Sequence, residues 1–140
     1  MKWSYILCVS AFLSCTRNET NNSSLTCEKA CILNDDTFNS LVPNEELSIS
    51  MAFFQDGCLT VEYSSGGCDG STWVTSLVAS QSIVETNPPM REIKLNLIDN
   101  EDCEALIYKT SSFDVSDLRG DYPTVFLILD GYDERIVLNE

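Results

Sequence analysis

Hydrophobic and polar positions change their rhythm along this chain. Residues 3–13 are almost wholly apolar behind a single cation, Lys2. Residues 16–26 are mostly Asn, Thr and Ser, with too little apolar surface to support a packed core. From Glu46 onward the rhythm is alternation, the period of a half-buried strand. Leu47, Ile49, Met51 and Phe53 alternate with Ser48, Ser50 and Ala52. Leu59, Val61 and Tyr63 alternate with Thr60, Glu62 and Ser64, and Ile93, Leu95 and Leu97 with Glu92, Lys94 and Asn96. Less regular strands are expected over residues 73–79 and 105–113. A covered central strand is expected in the continuous apolar run 125–129, and a short last one at 136–138. Between residues 25 and 33, Thr26 as a cap and Glu28 in the first turn predict one turn of helix.

Turn signals separate these runs: Asp56-Gly57, Ser65-Gly66-Gly67, Asn87-Pro88-Pro89, Asp99-Asn100, residues 120–123 and Asp130-Gly131. About seven short strands with almost no helix predict an all-β fold, an antiparallel β-sandwich resembling the immunoglobulin arrangement. A small β-barrel is the second choice. The expected organisation is a leader at 1–14, a linker at 15–26, a short segment at 27–45 and the sandwich at 46–140.

In an antiparallel sandwich each connection returns the chain to the opposite end. The loops at 66–70, 99–103 and 130–134 therefore share one end, and those near 57, 86–90 and 114–123 share the other. That bookkeeping puts Cys68 and Cys103 together as a disulfide. Cys58 lies at the far end and pairs, if at all, with Cys27 or Cys31; the alternative is that Cys27 and Cys31 bond each other. It also gathers Asp69, Asp99, Asn100, Glu101, Asp102, Asp130, Asp133 and Glu134 at one acidic end. Ca²⁺ takes six to eight oxygens, so a calcium site is one reading of that end. No D-x-D-x-D-G spacing occurs, and turns favour Asp, Asn and Gly for backbone reasons alone.

Charge and composition narrow the function. The net charge is −14, and loss of residues 1–14 removes Lys2 and no acid, taking it to −15. Such a chain repels phosphate backbones, which excludes nucleic acid as a partner and leaves a protein, a cation or a glycan at the acidic end. There is no histidine, so the commonest general base and the usual nucleophile triads are missing. Lys29, Lys94 and Lys109 stand in no catalytic motif, and Lys94 and Lys109 read as solvent-facing strand positions. Trp73 reads as a core residue rather than a sugar platform. The expectation is a protein that is not an enzyme and needs no cofactor.

Phe12-Leu13-Ser14-Cys15 follows the apolar run, which at about a dozen residues is too short for a permanent span. This stretch resembles a lipobox, the motif of bacterial lipoproteins, with Phe12 where leucine usually stands. The resemblance implies cleavage after Ser14, acylation of Cys15 with palmitate-like chains and a membrane anchor. The alternative is an ordinary signal peptide that leaves Cys15 as a thiol or a disulfide half. The second half of the chain resembles small exported lipoproteins of Bacteroidota without assigned activity. That likeness rests on Cys58-Leu59-Thr60-Val61, Gly66-Gly67-Cys68, Asn87-Pro88-Pro89, Cys103-Glu104-Ala105 and residues 113–118. It implies a bacterial cell envelope, an outer-membrane lipoprotein facing the periplasm or the cell surface. A structural or binding role is the first expectation, and a calcium-dependent or carbohydrate-binding module the alternative.

Overall fold

A computed structural model of the protein describes residues 26–139. Two short N-terminal strands, β1 (Lys29–Ala30) and β2 (Ile32–Leu33), precede the helix α1 (Asp35–Ser40). Seven longer strands follow: β3 (Ser48–Gln55), β4 (Cys58–Gly67), β5 (Val74–Ala79), β6 (Met90–Ile98), β7 (Ala105–Asp114), β8 (Thr124–Leu129) and β9 (Arg135–Asn139). They form a four-stranded sheet in the order β1-β7-β4-β3 and a five-stranded sheet in the order β2-β5-β6-β8-β9. The two sheets pack face to face as an open sandwich rather than a closed barrel.

The core is built from the inward positions of the alternating strands. Leu59, Val61 and Tyr63 of β4 share one core cluster with Leu77 and Ala79 of β5, Ile93 and Leu95 of β6, and Phe113 of β7, all buried. On β8, Val125, Leu127 and Leu129 are buried while Phe126 and Ile128 are half-buried on the other face, so this strand, paired with β6 and β9, is fully covered on one face rather than on both as expected. The sheets are mixed: β1 runs parallel to β7, β2 to β5 and β6 to β8. The last pairing follows from the alternation itself, because strands two apart point the same way.

Three local expectations are corrected. The helical turn expected from residue 25 to residue 33 is absent from its described part. Residues 29–33 instead cross from one sheet to the other as β1 and β2, and the helix starts at Asp35. Asn34 caps it, its Oδ1 accepting from Thr37 N at 2.8 Å, with Asp35 and Asp36 in the first turn. The segment 27–45 thus contributes one edge strand to each sheet. The second correction concerns β3, whose strict alternation fails. A bulge between Ile49 and Met51 shifts the register, so Ala52 and Phe54 turn inward while Met51 and Phe53 face solvent.

The third correction concerns the two lysines. Lys94 donates to the Phe38 carbonyl at 3.1 Å and lies 4.2 Å over the Phe38 ring, pinning α1 to the five-stranded sheet. Lys109 sits opposite the buried Tyr63 on β4, with its stem against Gly70. The β3–β4 hairpin turns through Asp56 and Gly57, both at positive φ, the Asp-Gly signature of a tight two-residue loop.

Candidate functional site

At one end of the sandwich β4 leaves the sheet at Gly67 and the chain turns through residues 68–72 before β5. The β6–β7 connection, residues 99–104, lies against this turn. The disulfide between Cys68 and Cys103 joins the two loops, with Cα atoms 4.8 Å apart. Beside it the Glu101 carboxylate forms a second fastening. Its Oε2 accepts from the backbone N–H groups of Cys68 at 2.6 Å, Asp69 at 3.1 Å and Gly70 at 3.0 Å. Its Oε1 accepts from the N–H of Thr72 at 3.3 Å and the Thr72 hydroxyl at 3.1 Å. Asp99 orients this loop by accepting from Glu101 N at 2.8 Å, and Asp69 accepts from Ser71 N at 2.8 Å. Gly67 leaves room for the arrangement, since a Cβ there would come within 2.8 Å of both Glu101 Oε2 and the Trp73 ring.

The loss of water around the Glu101 carboxyl works to raise its pKa. The N–H donors of Gly70, Cys68, Thr72 and Asp69 outweigh this and hold it at about 2, against an ordinary 4.5. The sign is that of a lowered carboxylate. The stabilisation is fully present above the unfolded pKa and is lost as pH falls from about 4.5 through about 2. Glu101→Gln is therefore expected to speed amide exchange across residues 68–72 at neutral pH while leaving exchange in β6 unchanged, as read by NMR. An unaltered 68–72 loop would contradict the clamp.

The acidic end expected from the turn positions is divided. Ile93 pairs with Leu129, so β8 stops halfway up β6. Asp130 is therefore level with Lys94, five residues short of Asp99, or roughly 16 Å at 3.3 Å per residue. Asp130 and Asp133 belong to a lower tier, and Asp69, Asp99, Glu101 and Asp102 to the upper one. Of the upper four, Asp69, Asp99 and Glu101 spend oxygens on backbone N–H groups. Asp102 lines a shallow depression with Glu46, Gly66, Glu101, Cys103 and Glu104, of which Glu46 and Glu104 were not among the expected ligands. Among the described residues no three His, Cys, Asp or Glu side chains are grouped to hold a metal ion.

Between the sheets a polar chain runs from Lys29 Nζ to Thr75 Oγ1, on to Ser111 Oγ at 3.3 Å and to Tyr63 OH at 3.3 Å. Trp73 is half-buried, stacked on Tyr63 with ring centroids 6.3 Å apart, and its Nε1 is buried without a hydrogen-bond partner among the described residues, as is Ser65 Oγ. Trp73 is thus a packing residue, although a polar one.

At the opposite end a second disulfide joins Cys27 to Cys58, with Cα atoms 5.6 Å apart, which settles the choice between Cys27 and Cys31. Cys31 is free. Burial pushes its thiol up to about 12, against the pull of the Arg91 guanidinium and with a push from Asp114, so it is a protonated and unreactive group at neutral pH. Arg91 is itself buried and donates from Nε to the Leu118 carbonyl at 3.0 Å, and from Nη1 to those of Ser80 at 2.6 Å and Gln81 at 3.0 Å. The sequence pattern does not mark Arg91 and presents Glu101 only as one acid of the loop end, because the partners of both are largely main-chain atoms. Cys15, the expected lipidation site, lies outside the described residues.

No protein-family model matches the chain, and neither does any curated protein. Among solved structures the fold is similar to a crystal structure of a Bacteroides vulgatus protein of unknown function, DUF1344. The match has a TM-score of 0.53 at 19% sequence identity and covers 80% of this chain and 56% of that one. At that identity the likeness is one of fold, and the chain spans little more than half the length of its neighbour.

Proposed function

We propose that the chain is exported and held to a bacterial membrane by lipid on Cys15, and that its sandwich has a structural or binding role rather than a catalytic one. The observation that carries this reading is the pair of disulfides at opposite ends of so small a domain, the pattern of proteins that mature in an oxidising compartment. On this reading a tether would arrive beside the Cys27–Cys58 bond. Residues 16–26 would reach at most roughly 40 Å when fully extended. They would enter at the Asp56–Gly57 end and leave the Cys68–Cys103 end pointing away from the bilayer. Against catalysis stand the absence of histidine, the protonated Cys31 and the engagement of Glu101, Asp99 and Asp69 with backbone donors.

The test is Cys15→Ser in the native host. The variant is expected to move from the membrane fraction to the soluble fraction, and the mature wild-type N-terminus to carry acyl mass on Cys15. An unchanged distribution, or an unmodified N-terminus elsewhere, would overturn the anchor and leave a soluble secreted domain.

A further inference from the structure

The strand β7 is paired along its whole length with β4, in unbroken register from Ala105 to Asp114. On its other side β1 covers only Phe113 and Asp114. Cys31 N donates to the Asp114 carbonyl and Ser112 N to Glu28 Oε2, so the even-numbered residues of β7 turn their main-chain groups away from β4. Leu106, Tyr108 and Thr110 continue that series with no strand beside them among the described residues. Leu106 and Tyr108 are also 59% and 70% exposed. The β3 edge of the same sheet carries a bulge, a common guard against added strands, whereas the upper part of β7 has neither bulge nor proline. The inward lysine that could guard it, Lys109, is folded back onto Gly70.

Charge decides what fits. Glu104 stands at the head of this lane and Glu62 faces Thr110 across the ladder, on a chain of net charge −14. A second copy is a poor occupant. The register that would set Leu106 against Tyr108 of the copy brings its Glu104 opposite Thr110, beside Glu62. We propose that the open lane of β7 accepts an extended, lysine- or arginine-bearing segment of another protein as an added strand, continuing the lane that β1 begins. Main-chain pairing supplies the contact. On the face that carries Leu106 and Tyr108, two apolar side chains of the added strand meet these residues, and the cationic ones that flank them meet Glu104 at one end and Glu62 at the other. The inference does not depend on the anchor at Cys15.

The probe is a blocked peptide of about seven residues whose alternate positions read lysine, valine, valine, lysine on one face with serine between them, and the control carries glutamate in place of both lysines. Each is added to the full, disulfide-bonded chain, and amide exchange is followed by NMR. The lysine peptide is expected to slow exchange at Leu106, Tyr108 and Thr110 by about tenfold or more while the glutamate peptide leaves them unchanged. Tyr108→Pro removes an N–H that faces the lane and none that pairs with β4. It should weaken binding by about tenfold or more, with retained melting temperature as the check on folding. Leu106→Lys with Tyr108→Lys keeps the backbone and should weaken it similarly. Protection elsewhere, equal binding of the two peptides, or full binding by both variants would overturn the proposal. So would protection of these amides in a concentration-dependent dimer without peptide, which would assign the lane to a second copy.

Discussion

Arg91→Ala is expected to destabilise the sandwich by about 3–5 kcal/mol in urea unfolding, because it strands the three carbonyls that the guanidinium serves. Arg91 sits on the inward face of β6 between the Ser80–Gln81 turn and the carbonyl of Leu118, so one side chain ties two connections to the sheet. Asp35 works on the same turn, accepting from Ser80 Oγ at 2.9 Å and Gln81 N at 2.7 Å. Burial draws the Arg91 pKa downward and the Asp35 charge supports it, yet a guanidinium remains cationic across the accessible range. Arg91→Lys keeps the charge but offers one ammonium where a planar fork now reaches apart to Leu118 and Ser80. It should recover less than half of the loss. A cost below about 1 kcal/mol for the alanine variant would mean that the turn is held by Asp35 alone.

How much of this was legible follows from what each contact involves. Strands β4 and β6 are readable because Leu59, Val61, Ile93 and Leu95 report burial directly through their period, and β8 because residues 125–129 form an unbroken apolar run, which marks a strand but not which face is buried. The β3 faces were misread from Met51 onward. A bulge shifts register without altering composition, and Met51 and Phe53 look as buried as any core residue until one places Ser50. The helix start was written in Asn34-Asp35-Asp36, but the more apolar residues 25–33 drew the expectation away from it. Two-residue strands such as β1 and β2 carry no period at all. Loop bookkeeping placed the connections at 66–70 and 99–103 at the same end, because direction alternates strand by strand. It could not give height, which is why Asp130 was expected beside Asp99 and lies a tier below. Glu101 was named among the acids for its position, while its role as a clamp depends on main-chain N–H groups that no side-chain pattern reveals.

Loss of both disulfides should have the largest effect of all. The bonds close loops with sequence separations of 31 and 35 residues, each contributing about 3–4 kcal/mol in the chain-entropy account. They staple opposite ends of the sandwich and share no contacts, so their contributions should add, to roughly 6–8 kcal/mol. A small domain's whole stability is about 5–15 kcal/mol. Full reduction, or the quadruple alanine variant at Cys27, Cys58, Cys68 and Cys103, is therefore expected to lower the melting temperature by roughly 20–30 °C. The Cys27–Cys58 pair is the more exposing loss, since Cys58 is buried and Cys27 fastens the segment that lays β1 and β2 on the two sheet edges. The Cys68–Cys103 loss is the milder in local order, because Glu101 still grips residues 68–72. The measurement is circular dichroism melting with and without reductant, for the wild type and for each paired alanine variant. A fall of less than about 5 °C on full reduction would show that packing alone sustains the sandwich. It would also remove the physical reason for supposing that this chain must mature where cysteines are oxidised.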